Sequence, residues 1–181
     1  MSKRSRLSPD DWLRAGLDAL SAAGPEALKA EPLARTLETT KGSFYWHFPD
    51  VPAFRQALLK FWGSEAGGLL AEAPEDRTEA VAQLHALVRD GFSTDPAAEC
   101  AMRAWARTDA AAAETLAQID AARLGHLQDL LTRIGVTNPE IARLLYAAQI
   151  GLPQIIDGQD DSARDDSAPL DTLVDLVLAL R

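Results

Sequence analysis

The chain has 181 residues, 47% hydrophobic and 25% charged, enough for one or two domains with a real core. No apolar run approaches the ~18 residues needed to span a bilayer, no apolar signal core follows the basic start Met1–Arg6, and a lone cysteine, Cys100, allows no internal disulfide, which fits a reducing cytoplasm. The net charge of −9 argues against nucleic acid until the chain is split: residues 1–62 hold nine Lys/Arg against seven Asp/Glu, and residues 63–181 hold nine against twenty.

That asymmetry suits a DNA-binding head on an acidic body. A solvated acidic surface would account for the same numbers.

Ser8-Pro9-Asp10-Asp11 opens the first predicted helix, roughly Ser8 to Ala23. Ser8 can cap, Pro9 suits the first helical position, and two acids favour the positive end of the dipole. Trp12, Leu13, Leu17 and Leu20 give it an apolar side, and Gly24-Pro25 closes it. A short second helix begins near Pro32, with Leu33, Ala34 and Leu37 inward. A third begins with Thr39 or Thr40 as cap and runs through Lys41-Gly42-Ser43-Phe44-Tyr45-Trp46-His47-Phe48. Those residues hold four of the eleven aromatics. A helix this short cannot bury every face, so bulky polar-tipped side chains must stay at the surface, which suggests that the surface meets something. Two short helices with a tight turn describe a helix-turn-helix.

Asp50-Val51-Pro52 starts a long fourth helix, about 51–73, bearing Phe54, Leu58, Phe61, Trp62, Leu69 and Leu70, with Gly67-Gly68 as a bend. From there the pattern is all helix. Pro74-Glu75-Asp76 opens the fifth, Asp95-Pro96 the sixth, Thr108-Asp109 the seventh and Asn138-Pro139-Glu140 the eighth. Gly135 ends the seventh. Ile141, Leu144, Leu145, Ala148 and Leu152 point inward on the eighth, which Pro153 kinks or ends. Gln159 to Asp166 reads as a polar loop. The last helix, Leu170 to Leu180, is apolar on more than one face, so part of it is expected to meet another chain. The predicted fold class is all-α: a three-helix helix-turn-helix head over residues 1–50, then a helical bundle over 51–181, about nine helices in all.

The stretch from Leu33-Ala34-Arg35-Thr36-Leu37 through Lys41–Phe48 to Phe54-Arg55-Gln56-Ala57-Leu58-Leu59 resembles the tetracycline-repressor-like (TetR) transcriptional regulators. The resemblance covers about residues 8–62. It implies a homodimer of nine-helix subunits, joined through helices 8 and 9, that blocks a palindromic operator until a small effector binds the body. It implies that the third helix enters the major groove, with Lys41 and Ser43 toward base edges or nearby phosphates, Tyr45 and His47 on phosphates, and Trp46 near the backbone or a thymine methyl. Thr40 would cap the helix and bond a phosphate. Two positions depart from the family pattern: Glu38 stands where the turn usually carries glycine, and Val51 where the fourth helix usually offers lysine. Binding would then lean more on the arm Lys3, Arg4 and Arg6.

A second reading is a helical small-molecule-binding or interaction protein whose DNA head is weakened, as Glu38 and Val51 suggest. No nucleophile motif or phosphate loop points to an enzyme. His47, His85 and His126 lie far apart without metal-ligand spacing, so no metal or cofactor is expected. The effector candidates are the aromatic and polar-tipped side chains of the body: Trp62, His85, Met102, Arg103, Trp105, Arg107, Tyr146 and Gln149. For each, core packing or a surface ion pair is the competing role.

Overall fold

The computed structural model describes residues 7–68, 70, 73–93, 95–155 and 167–179, with only the backbone of Ser167. Among them are nine α-helices and no strand: α1 Pro9–Ala23, α2 Ala30–Thr36, α3 Lys41–His47, α4 Val51–Gly67, α5 Arg77–Asp90, α6 Pro96–Ala106, α7 Ala110–Arg133, α8 Pro139–Gly151 and α9 Ser167–Ala179. The all-α expectation holds.

Local chemistry sets most of the ends. At α1 the Ser8 Oγ accepts from the Asp11 N–H at 3.3 Å, and the Asp11 carboxylate accepts from the Ser8 N–H at 2.7 Å, a reciprocal capping box. Those bonds from Ser8 hold the Asp11 carboxyl below its ordinary value. Asp50, Asp76, Asp95, Asp109 and Asn138 each accept a backbone N–H from the first turn of the helix that follows. Pro32 lies inside α2, which starts at Ala30, two residues before the expected point. In the first turn its missing N–H costs nothing, because those donors have no partner within a helix.

Contacts divide the chain into two compact units, residues 1–66 with 95–119, and residues 67–94 with 120–181. The first unit therefore takes in α4, α6 and the first half of α7, where the sequence reading ends the head at residue 50. The helix expected to bend at Gly67-Gly68 instead stops at Gly67. Two adjacent glycines give up more backbone freedom than this exposed stretch can return in contacts.

Unit 1 is cored by Trp12, Leu20, Leu33, Phe44, Phe54 and Leu58, all at most 1% exposed. Phe44 meets Trp12 edge to face at 5.4 Å and Phe54 at 5.2 Å. Gly16 lets α1 approach α4: a Cβ there would lie 2.7 Å from Phe54 Cζ. Unit 2 packs α5 and α8 against α9 around Leu84, Leu127, Leu130, Ile134 and Val174. Leu144 on α8, expected inside, is 59% exposed, and Leu176 on α9, a helix expected to be apolar on more than one face, is 57% exposed. Leu69, Leu180 and the loop Gln159–Asp166 lie outside the described residues.

Candidate functional site

The α2–α3 turn is a complete Schellman motif. The Thr39 N–H bonds the Ala34 carbonyl at 2.8 Å and the Glu38 N–H bonds the Arg35 carbonyl at 3.1 Å. This pairing requires a left-handed residue after the cap, and Glu38 takes it with φ +49°. The sequence departure thus sits at the one position of the turn where glycine costs least.

From that turn α3 emerges with one buried side. At about 100° per residue, Phe44 and the C-cap Phe48 face the core, Lys41, Gly42, Tyr45 and Trp46 form the exposed arc, and half-buried Ser43 and His47 flank it. Trp46 is 72% exposed and Tyr45 45%. Lys41 Nζ lies 5.8 Å from the centre of the Tyr45 ring, one turn along the helix. Among the described residues Lys41 has no carboxylate partner, whereas nearby Arg35 pairs with Glu31 at 3.7 Å and Lys29 with Glu26 at 3.4 Å. Thr40 occupies the N-cap position, but its hydroxyl makes no capping bond to α3, contrary to expectation. Val51 packs half-buried against the unit 1 core, which explains an apolar residue where a phosphate-seeking lysine was expected. Lys3, Arg4 and Arg6 lie outside the described residues.

The effector candidates divide between the two units. Trp62, Met102 and Trp105 are buried in the unit 1 core, and Arg103 pairs with Glu99 at 2.8 Å. Arg107 is exposed at the C-cap of α6. The other three belong to unit 2. His85 Nδ1 lies 3.6 Å from Asp171 and its Nε2 4.0 Å from Asp175, while Gln149 donates to the Leu87 carbonyl at 2.8 Å. The Tyr146 hydroxyl donates to Asp120 at 2.6 Å.

The sequence reading missed Arg123. It is 1% exposed, donates to the Phe92 carbonyl at 3.1 Å and to the Tyr146 hydroxyl at 3.4 Å, and lies 5.6 Å from the Phe92 ring. Burial pushes the Tyr146 phenol above its ordinary value, against the opposing pull of the Arg123 bond. No signal in the sequence separates this arginine from the exposed Arg133 on the same helix. Its burial depends on the end of α5 and on α8, distant in sequence.

Grooves open to solvent occur in both units. One in unit 2, about 890 Å³, runs along α7 past His126, Asp129, Thr132 and Arg133. Burial pushes the His126 imidazole below its ordinary value, with Asp129 opposing. Another, in unit 1, is about 500 Å³ and lies between α4 and the first half of α7. None of the effector candidates lines either groove. Among the described residues no helix is long and apolar enough to cross a membrane, and no group of three or more His, Cys, Asp or Glu is placed to hold a metal ion.

No protein-family model matches the chain, and no curated protein matches it. Solved structures do. A transcriptional regulator from Rhodococcus sp. Rha1 superposes with TM-score 0.71 at 19% identity, covering 96% of this chain and 95% of its own. A putative TetR-family transcriptional regulator from Rhodococcus sp. superposes with TM-score 0.70 at 21% identity, covering 94% and 98%. A TetR transcriptional regulator from Agrobacterium tumefaciens gives TM-score 0.63 at 21% identity, covering 96% and 94%. Over nearly its whole length, the chain has the fold of the TetR-family transcriptional regulators.

Proposed function

We propose that the protein is a sequence-specific DNA-binding transcriptional regulator. It acts as a homodimeric repressor that a small-molecule effector releases from a palindromic operator. The observation that carries this reading is α3. It follows a tight turn, is held by buried Phe44 and Phe48, and offers Lys41, Tyr45 and a 72%-exposed Trp46 to solvent. Such a helix costs apolar exposure unless a groove receives it. Lys41 and Ser43 read base edges near the helix start, while Thr40, Tyr45 and His47 fix register on phosphates. Trp46 packs near the backbone or a thymine methyl. The exposed Leu144 on α8 and Leu176 on α9 support a subunit interface made by those helices.

Selecting bound fragments from random DNA tests the reading and yields the operator. On that operator, gel shifts should show Lys41→Ala binding more weakly, and Tyr45→Ala weaker across all sequences. Wild-type affinity for both variants would sink the docking. Sedimentation at micromolar concentration should give a dimer, and a monomer would contradict it.

One observation favours the second reading, a ligand-binding protein with a weakened head. Glu38 places a carboxylate, in a left-handed conformation, at the turn that should approach phosphates. Salt separates the two. A repressor binds tightly at low salt and loses affinity steeply as salt rises, whereas a weakened head binds little at any salt.

A further inference from the structure

The groove of unit 1 combines features that point to a ligand class. Lys60 on α4 and Glu114 on α7 both line it, and the side chain of neither forms an ion pair or hydrogen bond with any described residue. Gln56 and Gln118, also lining it, are equally without such bonds among the described residues. Between them lies an apolar floor of Leu59 and Ile119, 5% and 9% exposed.

We propose that this groove binds a small zwitterion of the α-amino-acid type with an aliphatic side chain. Its carboxylate meets Lys60, its ammonium meets Glu114, and its side chain covers Leu59 and Ile119. The volume, about 500 Å³, is ample for such a molecule. An anion would face the Glu114 carboxylate and a cation the Lys60 ammonium, each a like-charge contact. An apolar ligand would desolvate two charges and pair neither. Only a molecule carrying both signs satisfies both walls.

The placement also gives binding a consequence within unit 1. α4 lines the groove with Leu59 and Lys60, and one turn away it packs Phe54 against Phe44 and Phe48 of the helix-turn-helix. A ligand lodged between α4 and α7 therefore acts on the helix that supports α3. That consequence rests on the regulator reading; the binding does not.

Calorimetric titration of the full chain with leucine, leucinamide and 4-methylpentanoate tests the assignment. Leucine should bind saturably, and each singly charged analogue about tenfold more weakly. Lys60→Ala should weaken leucine about tenfold while tightening leucinamide, whose cation loses a like-charge contact. Glu114→Ala should lower leucine to the affinity of 4-methylpentanoate. Both side chains are exposed, so both variants should fold as the wild type does. No saturable binding of leucine, isoleucine or valine at millimolar concentration would overturn the proposal. So would equal affinity for the three compounds, or leucine binding unchanged in both variants. A protein that binds leucine but no operator keeps this site and loses the regulator reading; one that binds operator but no amino acid does the reverse.

Discussion

In unit 1 the rings of Trp12, Phe44, Phe48 and Phe54 pack at 5.0 to 5.4 Å from one another. In unit 2 leucine and valine side chains form the core, and Arg123, the one buried charged residue among those described, ties α7 to Phe92 and Tyr146. The two interiors hold position by different means. Interlocked rings fix orientation through shape, since edge and tilt contacts tolerate little sliding. A buried guanidinium fixes orientation through direction, because its donors must point at particular acceptors and any other packing strands a charge. On the regulator reading, the first suits a small head that has to present one helix rigidly. The second aligns segments far apart in sequence, the end of α5 with α7 and α8.

The comparison can be broken by substitution. The largest effect is expected from Phe44→Ala, which removes the ring shared by four aromatic contacts and should cost about 3–5 kcal/mol. Urea unfolding measures it, and a loss below about 1 kcal/mol would show that shape does not hold unit 1. Arg123→Ala comes next, at about 3 kcal/mol, because the Phe92 carbonyl and the Tyr146 hydroxyl lose their donor. Arg123→Met refills much of the volume and should cost less. If both arginine variants cost the same, volume contributes nothing and direction alone governs.

A closer comparison concerns two helix ends. α7 finishes in the same Schellman pairing as α2, with Val136 N–H to the Leu131 carbonyl at 2.8 Å and Gly135 N–H to Thr132 at 3.1 Å. There the left-handed residue is Gly135, φ +94°, and at α2 it is Glu38. Glu38→Gly should therefore stabilise by about 1 kcal/mol, and Gly135→Ala should destabilise by about as much. Thermal melts that move the same way in both variants would refute the shared-motif argument. On the regulator reading Glu38→Gly should also tighten operator binding, since a carboxylate leaves the turn.

The smallest effect is a pH dependence. Burial lowers the folded His126 from its ordinary value of 6.5, so its contribution is present above that value. As pH falls, the unfolded imidazole takes its proton first and stability is lost. His126→Gln should reduce the drop in melting temperature between about pH 7.5 and 5. An unchanged drop would place the pH sensitivity in other groups.

What the sequence disclosed follows from range. Helix starts at Ser8, Asp50, Asp76, Asp95 and Asn138 could be read because a cap acts over three residues. Glu38 drew notice only through the family resemblance, as a departure from the usual glycine of the turn. Phe44 and Phe48 could be assigned to the core, and Tyr45 and Trp46 to the surface, because a seven-residue helix offers few ways to face inward. Where a side chain's surroundings come from elsewhere in the chain, periodicity fails. Leu144 and Leu145 are neighbours of the same type, yet one is 59% exposed and the other 2%. Arg123 has no local mark of burial. Trp105 between two arginines suggested a ligand site, but the indole lies in the core. The groove of unit 1 was missed because its walls, at residues 56–64 and 111–119, are far apart in sequence and individually unremarkable.

Gly16 has a mechanical consequence. With no Cβ there, the Phe54 ring sits directly against the backbone of α1, and the same ring touches Phe44 of α3 and Phe48 beside it. One side chain of α4 is thus held against both α1 and α3, with no Cβ between it and α1. A displacement of α4 would therefore press on α3 through this ring. Gly16→Ala would force that clearance open. On the regulator reading, a head that stayed folded would then couple α4 to α3 less tightly.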